Sequence, residues 1–562
     1  MKKPTLTDAF LIEEGLVDAE RFNVPTGTVA NRSIPMANQT LFNTLRAAHG
    51  DRLPQADTVN EAGGVAYRRS PEQALAQFAA TGVFGNTFYV DAAEQLDEVL
   101  SLATKVDARF LAQAAIFARE KGYLKDFPAL IVALLSERDR ALFQRVFPRV
   151  IDNVKQLRNF VQIMRSGVVG RRSLGTLPRR LVREFLAQRS DATLFRGAVG
   201  QKPSLADIIR MVHPHPQSES RRALYGYLLG REHDREHLPQ LVKAYEAFKA
   251  GERTAVPEVP FQMLDALDID AATWAGIFRN AGFQFTRMNL NTALRQGVFE
   301  VEGMAELIAA RLRDREAIRR ARVFPYQLLA AATHADDRIP AVVREALHAA
   351  MEIAIENVPA TDGRVVVAPD VSGSMWRAVT GYRRGATSQV RCVDVAALVA
   401  AAVLRMNPQT RVLPFEDEVC PLDLRASDGV LANAATLSRI GGGGTNVSAP
   451  LALLNHERAA VDLVVFVSDN ESWVDTARTQ DYDWDSNPTQ TMAEWEQLKR
   501  RNPQAMMVCI DITPSRSVQA REREDILNVG GFSDHVFEVV AAFASGNGRV
   551  NAQVEAIRSL EL

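Results

Sequence analysis

The chain has 562 residues, with 66 Lys and Arg against 68 Asp and Glu, and 47% of the residues are hydrophobic. This length exceeds one hydrophobic core, so at least two domains are expected, and the composition excludes a disordered or fibrous protein. Cys392, Cys420 and Cys509 form no CxxC pair, which argues against a disulfide framework or a cysteine zinc site. With an acidic N-terminus and apolar runs too short to cross a bilayer, the sequence predicts a cytoplasmic protein without membrane segments.

Charge is unevenly distributed along the chain. Residues 138–233 hold 19 Arg and Lys against 7 Asp and Glu, whereas residues 364–562 hold 19 against 25. This polarisation predicts a polyanionic partner for the basic stretch.

Residues 1–37 are predicted as an N-terminal arm and residues 38–360 as a helical domain. Stretches such as 93–106, 126–137 and 153–167 place apolar residues at three- and four-residue spacing and end near Gly, Pro or polar clusters. Short amphipathic helices in series are typical of an α-solenoid, although no clean internal repeat is visible.

The most basic part of this domain is residues 165–189. Pro178 suits the first turn of a helix, whose packing face would carry Leu181 and Phe185. Arginine forks on the opposite face would bind phosphate, so RNA or DNA binding is predicted, the alternative being a solvated helix face. The candidate residues are Arg171, Arg172, Arg179, Arg180 and Arg183.

The next stretch, residues 201–216, extends the basic surface. Ser204 is predicted to cap a helix that ends before His213, with Lys202 and Arg210 beside it. His213 could stack on a base or donate to a phosphate. A metal pair with His215 is disfavoured because no Cys or carboxylate cluster surrounds it.

After Pro359 the pattern changes, and residues 361–562 are predicted as an α/β domain. Apolar, β-branched runs at 364–370, 410–415, 462–469 and 505–512 alternate with helical stretches. Strands buried on both faces indicate a doubly wound parallel sheet, in which sites form at the carboxyl ends of the strands.

Oxygen-bearing side chains follow two of these strands, and another follows the glycine run 441–444. An all-oxygen set without His or thiolate suits a hard divalent cation, with Mg²⁺ preferred over zinc. The alternative is that these residues only cap a turn. The candidate ligands are Asp370, Ser372, Ser374, Thr445 and Asp469.

The D-x-S-x-S run with the later Thr and Asp resembles the metal-ion-dependent adhesion site (MIDAS) of von Willebrand factor A domains. In that family one coordination position stays open for an acidic partner. This pattern occurs together with segments at 78–90, 175–185, 204–214 and 324–331, in that order. With all of these features, the chain resembles the Ro autoantigen family, closest in detail to its bacterial members.

This resemblance implies a TROVE module, an all-α ring of HEAT-like repeats, closed by a Rossmann-like von Willebrand factor A domain. It implies a monomeric ribonucleoprotein component that binds Y RNA on its basic outer surface and single-stranded 3′ ends of misfolded RNA in a central hole. Bacterial members are thought to work with a 3′→5′ exoribonuclease. Lys202 and His213 match positions implicated in Y RNA contact, Arg179, Arg180 and Arg183 match only approximately, and residues 475–492 do not align.

The leading hypothesis is therefore a non-catalytic RNA-binding scaffold in RNA quality control. A second hypothesis is a metal-dependent protein-binding module that captures a partner's carboxylate and has no RNA role. Catalysis is the third, disfavoured because the chain lacks GxSxG, HExxH and a P-loop, although Asp370, Asp469 and a metal could activate water.

Overall fold

The computed structural model describes residues 53–562 except 82–83, 85–90, 201, 253–254, 265–266, 268, 322, 324, 357–362, 380–389, 474–487, 514–515, 532–533 and 545–550. The predicted arm at 1–37 and most of the segment 475–492 lie outside the described residues. Residues 54–562 form one compact unit.

The first part of this unit is helical, as predicted. Its helices are α1 Pro71–Thr81, α2 Ala92–Lys105, α3 Ala108–Glu120, α4 Asp126–Arg138, α5 Arg140–Val150, α6 Val154–Ser166, α7 Thr176–Gln188, α8 Asp191–Gly197, α9 Leu205–Val212, α10 Glu219–Leu229, α11 Gln240–Lys249, α12 Phe261–Leu264, α13 Ala271–Asn280, α14 Phe283–Met288, α15 Leu290–Arg295, α16 Met304–Leu312, α17 Arg315–Ala321, α18 Pro325–His334 and α19 Ala341–Ile355. Side-chain caps define several starts: Asp91 with Glu94 at α2, and Ser204 with Asp207 at α9, form capping boxes.

These helices pack on near neighbours along the chain. Helix α4 contacts α3, α5 and α6, and α19 contacts α16, α17 and α18. Buried residues from Ala74 to Val242 form one apolar cluster, and those from Phe248 onward form another that continues into the α/β domain. Stacking on neighbours is the packing of a helical-repeat array, which confirms the predicted solenoid.

The α/β domain is built on a five-stranded sheet with the order β4–β3–β5–β6–β8, in which every pairing is parallel. The strands are β3 Val365–Pro369, β4 Arg411–Val412, β5 Leu463–Ser468, β6 Met506–Asp511 and β8 Ile526–Gly530. The helices are α20 Cys392–Met406, α21 Val430–Leu437, α22 Ala449–His456, α23 Gln490–Arg501, α24 Asp534–Ala542 and α25 Ala552–Arg558.

Both faces of this sheet are buried. Along β3, Val365 and Val367 belong to the apolar cluster under α20, while Val366 and Ala368 belong to the cluster on the opposite face with Trp495 of α23. The doubly wound parallel sheet is therefore confirmed. Strand β8 was not predicted from the sequence.

A second, antiparallel sheet was also not predicted. It joins β1 Thr58–Val59, β2 Val65–Arg68 and β7 Ser517–Val518 in the order β1–β2–β7, with Tyr67 opposite Val518. Of the two strands that precede the helical array, β2 thus pairs directly with a strand of the α/β domain.

The α/β domain contacts both ends of the helical array. Helix α1 packs against β8, and the last helices α18 and α19 pack against α20 and α21. The array and the domain therefore close into a ring, while the predicted boundaries at residues 37 and 360 stay predictions. Within the described ranges, no helix has the length and apolarity needed to span a bilayer.

Candidate metal centre and nucleic-acid interface

The five predicted metal ligands lie at the carboxyl edge of the parallel sheet. Asp370, Ser372 and Ser374 follow β3, Asp469 follows β5, and Thr445 lies on the loop between α21 and α22. All five are buried, with at most 7% of any of them exposed. Neighbouring parallel strands deliver their following residues to one edge, which is why these positions converge.

Four of the five side chains share one hydrogen-bonded group. The N–H of Ser372 donates to Oδ1 of Asp370 at 2.9 Å, and the hydroxyls of Ser372 and Ser374 lie 3.2 Å apart. The Ser374 hydroxyl also bonds to the carboxylate of Asp469. Ser468, which sequence reasoning missed, donates to Oδ2 of Asp370 at 2.5 Å.

The glycine run holds the Thr445 loop against the first loop. The N–H of Gly373 donates to the carbonyl of Gly443 at 2.8 Å, and that of Gly442 donates to the carbonyl of Val371 at 2.9 Å. At Gly441, φ is +82° and an added Cβ would lie 2.2 Å from the Val371 carbonyl oxygen. Only glycine allows this approach of the two backbones.

Two buried carboxylates face each other without a compensating cation among the described side chains. Burial raises the pKa of Asp370, and the charge of Asp469 raises it further. Burial is also the main cause that raises the pKa of Asp469. A divalent cation would offset both effects, so the residues present fit a hard metal ion held by two carboxylates and the hydroxyls.

This site does not rely on a larger carboxylate, His or Cys cluster. Among the residues that the structure describes, no group of three or more His, Cys, Asp and Glu is placed to hold a metal. Further acidic residues instead fasten the loops: Glu416 accepts from the N–H of Gly443 at 2.7 Å, and Asp417 from that of Gly444 at 3.0 Å. Glu416 and Asp417 directly follow the predicted strand 410–415, and this position is the feature of the sequence from which their role could have been predicted.

Two exposed tryptophans flank these loops. Trp376 follows Ser374 by two residues and is 39% exposed, and Trp473 is 44% exposed. The indole N–H of Trp473 donates to Asp417 at 2.8 Å, and its backbone N–H donates to the Thr445 carbonyl at 3.0 Å. The guanidinium of Arg391 lies 4.6 Å from the centre of the Trp376 ring.

The predicted basic residues lie on the surface of α7, α9 and their flanking loops. Leu181, Val182, Phe185 and Leu186 form the buried face of α7, as predicted. Arg171 is partly buried. The exposed members are Arg172, Arg179, Arg180, Arg183, Lys202, Arg210 and His213.

Some of these residues have partners within the chain. Arg180 pairs with Glu184 at 3.4 Å, Arg210 pairs with Asp207 at 3.1 Å, and Arg171 pairs with Glu137. The few acidic residues near these basic stretches therefore form ion pairs with some of the predicted RNA-binding residues. Such exposed pairs contribute little to stability, and their cations stay accessible to solvent.

Helix α7 and the end of α9 are adjacent. The guanidinium of Arg183 donates to the carbonyl of Val212, the residue before His213. Arg158, which sequence reasoning missed, donates to the carbonyls of Val199 at 2.6 Å and Pro203 at 2.7 Å. The bonds of Arg158 fix the segment that carries Lys202, and the contact of α7 with α9 makes the two predicted basic stretches neighbours.

Fold and site together define a closed ring of helical repeats and a von Willebrand factor A-type domain with a candidate cation site at its sheet edge. A TROVE domain family model matches residues 200–340, and a Ro60 vWA domain family model matches residues 364–544. The candidate residues Arg171 to Arg183 lie outside the TROVE match, whereas Lys202, Arg210 and His213 lie within it.

Comparisons of the chain with known proteins and solved structures agree with these domain matches. The chain is 26% identical over 541 residues to the RNA-binding protein RO60 of Deinococcus radiodurans, covering 90% of this chain and 98% of that protein. It is 22% identical over 255 residues to the RNA-binding protein RO60 of Caenorhabditis elegans, covering 44% and 37%. The crystal structure of the Deinococcus radiodurans RO (RSR) protein matches with a TM-score of 0.57 at 21% identity, covering 85% of this chain and 100% of that one. The chain is therefore similar over most of its length to a protein named RO60, and it contains matches to the TROVE and Ro60 vWA domain models.

Proposed function

We propose that this protein is a non-catalytic RNA-binding scaffold of non-coding RNA quality control. Structured RNA of the Y RNA class binds the basic surface of α7 and α9, and single-stranded 3′ ends of misfolded RNA enter the ring. A 3′→5′ exoribonuclease is the partner that this role calls for. Two relatives that carry the name RNA-binding protein support the RNA part of the proposal.

The observation that carries the proposal is the continuity of the basic surface. The bond from Arg183 to Val212 joins α7 to the end of α9 next to His213, and Arg158 fixes the adjoining Lys202 segment. No ion-pair partner of Arg179 or Lys202 occurs among the described residues. Cations without partners on a fixed surface suit phosphate oxygens and give salt-dependent, sequence-tolerant binding.

We further propose that Mg²⁺ occupies the loop site, held by Asp370, Ser374 and the neighbouring candidate ligands. When bound, the ion would supply an open coordination position for an acidic group. The buried carboxylates would bind the cation, and the Gly441–Gly444 run would fix the distance between the loops. The adhesion-site pattern and the mutual repulsion of Asp370 and Asp469 support this assignment.

The tryptophans favour a second function for the metal face, namely capture of a protein partner's carboxylate. Exposed tryptophans are enriched at interfaces because one ring buries a large area at a low entropy cost. Trp376 and Trp473 lie on the loops that carry the candidate ligands, so a docked partner would contact both ring and metal. Loss of protein capture in Asp370→Ala with unchanged RNA affinity would assign this function to the face.

The RNA proposal is tested by binding of a hairpin RNA with and without a single-stranded 3′ tail across a salt series. We expect the tail to increase affinity and the logarithm of the affinity to fall steeply with that of the salt concentration. Each lost phosphate contact should reduce this slope by about 0.7 to 0.9.

The variant Arg172→Ala/Arg179→Ala removes two exposed cations without breaking the α7–α9 contact made by Arg183. The matched control is Arg320→Ala/Arg344→Ala, which removes two exposed cations elsewhere in the array. Equal affinities and equal salt slopes for the two variants would show that the α7 surface is not the RNA site. Failure of the wild type to bind either RNA at low salt would overturn the proposed function.

A further inference from the structure

The turn between β1 and β2, residues 60–64, lies against the loop that follows Asp469. The buried Asn60 side chain donates from Nδ2 to the carbonyl of Ser472 at 2.7 Å. The backbone N–H of Glu61 donates to Oε2 of Glu471 at 2.7 Å, and that of Ala62 donates to the same oxygen at 3.3 Å. Three bonds therefore join two short segments that lie about 410 residues apart in the sequence.

The shapes of the two segments also match closely. The N–H of Gly64 donates to Oδ1 of Asn60 at 2.7 Å, which closes the turn. A Cβ added at Gly64 would lie 2.5 Å from the carbonyl oxygen of Ser472. Glycine is required at this position because the turn and the loop are in direct backbone contact.

The contacted loop belongs to the candidate metal site. The N–H of Glu471 donates to Oδ1 of Asp469 at 3.3 Å, and the hydroxyl of Ser472 donates to the carbonyl of Thr445 at 3.4 Å. Each residue that the turn holds thus bonds directly to a candidate ligand. Among the described residues, the hydrogen bonds of the turn reach the ligands through Glu471 and Ser472, which makes its main effect one of positioning, and the nearby Glu61 carboxylate adds negative charge beside Asp469.

The same turn leads directly into the helical array. Strand β2 ends at Arg68, and α1 begins at Pro71. Between them, Arg69 forms a buried ion pair with Asp511 at the end of β6. Only Arg69 and Ser70 therefore separate the strand that follows this turn from the first helix of the ring.

We infer that the Asn60–Gly64 turn is a positioning element of the metal site, which couples cation binding to the attachment of the first helices to the α/β domain. The inference rests on the proposed metal site. Coupling of this kind is reciprocal: if the turn strengthens cation binding, the cation stabilises the docked turn by the same factor. Loss of supporting contacts around metal ligands lowers metal affinity by roughly 10- to 100-fold.

The first test measures binding of Mn²⁺, as a substitute for Mg²⁺, by electron paramagnetic resonance of the free ion. We expect Asn60→Ala and Gly64→Ala to bind Mn²⁺ at least about 10-fold more weakly than the wild type. Gly64→Ala keeps every side chain of the turn and displaces the Ser472 carbonyl only by its methyl group, so it carries the test if Asn60→Ala loses its native circular dichroism.

Two control variants should bind Mn²⁺ like the wild type. Asn433→Ala removes another buried Asn that donates to a backbone carbonyl, that of Arg425 at 2.9 Å. Gly276→Ala adds a methyl group whose nearest neighbour lies 4.0 Å away.

The second test uses hydrogen exchange and needs no change in the turn. Added Mg²⁺ should slow exchange of the amides of residues 58–68 in the wild type but not in Asp370→Ala. If the wild type binds no Mn²⁺, the proposed metal site itself fails. If it binds, but Gly64→Ala binds as tightly as Gly276→Ala and Mg²⁺ leaves exchange at 58–68 unchanged, the site stands and the coupling is refuted.

Discussion

Tyr67 lies before the first helix of the array, yet it belongs to the core of the α/β domain. It is 2% exposed and packs in the apolar cluster with Phe466 and Trp495 on one face of the parallel sheet. Its hydroxyl donates to the carbonyl of Pro54 at 2.7 Å and accepts from the N–H of Thr489 at 3.3 Å. We therefore predict that truncation at residue 67 destabilises the α/β domain.

The magnitude follows from what each substitution removes. Tyr67→Phe keeps the ring and leaves the Thr489 N–H and the Pro54 carbonyl without this partner, which costs about 1–3 kcal/mol. Tyr67→Ala also leaves a cavity in a well-packed core, and large aromatic truncations of this kind cost about 3–5 kcal/mol.

The assay has to resolve domains, because a chain with several cores need not unfold in one step. Native-state hydrogen exchange of β5 and β6 reports the α/β domain, and exchange of α5 and α6 reports the first part of the array. For Tyr67→Ala we expect exchange of the protected strand amides to become about a hundredfold faster or more, since 1.4 kcal/mol corresponds to a factor of ten.

The matched control is Phe160→Ala, which truncates a fully buried ring that packs with Phe143 and Phe147 in the helical array. It should accelerate exchange in α5 and α6 and leave β5 and β6 protected. If Tyr67→Ala instead accelerated exchange in the array and spared the strands, the assignment of Tyr67 to the α/β core would be refuted.

Two further predictions concern the metal loops. Burial raises the pKa of Asp370 to about 7 and that of Asp469 to about 6. Between the ordinary carboxyl pKa and these values, the metal-free folded chain binds more protons than the unfolded chain, so its stability falls as the pH rises through this interval. Asp370→Asn should therefore raise the melting temperature in EDTA at neutral pH and abolish stabilisation by Mg²⁺; an unchanged melting temperature in EDTA would contradict this reasoning. Gly441 and Gly170 both have φ of +82°, but only Gly441 has a neighbour within 4 Å of an added Cβ. In chemical denaturation Gly170→Ala should cost only the left-handed backbone penalty of about 1–2 kcal/mol, and Gly441→Ala should cost more and weaken Mn²⁺ binding, so equal effects of the two would exclude the Val371 contact as the cause.

The features that could be predicted from the sequence depend on residues near each other along the chain or at repeated positions in a sheet. Helix α9 was predictable because Ser204 caps it and apolar spacing continues to Val212. The metal loops were predictable because neighbouring parallel strands deliver the residues that follow them to one edge. Asp370 and Asp469 therefore converge although 99 positions separate them in the sequence.

The antiparallel sheet could not be predicted in this way. Strand β1 has two residues, β2 has four and β7 has two, which is too short for a periodic pattern to appear. The pairing partners lie in distant parts of the chain, and the stretch before α1 carries no signal of a partner near Val518. Tyr67 pairs with Val518 and packs with it in one apolar cluster, a contact that only the folded chain reveals.

The basic surface was predictable in position but not in its pairing. The Arg180–Glu184 and Asp207–Arg210 pairs follow from helical spacing, whereas the Arg171–Glu137 pair joins residues 34 positions apart. A count of charges over a segment misses both kinds of pair. Such a count identifies the basic surface but not the pairs on it. The structure shows that Arg180 has an ion-pair partner, whereas Arg179 has none among the described residues.

The α/β domain contacts the helical array at two places, near α1 and near α18 and α19, which are called the two seams of the ring. Under the proposed function, these seams affect how an RNA would reach the interior of the ring. At one seam Tyr67 is part of the α/β core, and Arg69 forms a buried ion pair with Asp511. At the other, Leu347 of α19 and Val399 of α20 belong to one continuous apolar cluster. Separating either seam exposes core side chains, and at the first it also leaves a buried charge without its partner, which costs about 3–5 kcal/mol in itself. Threading of a free strand end avoids both costs. Under the proposed function, a ring closed by core packing would therefore favour RNAs with an unpaired end over continuous duplexes, without reading any base.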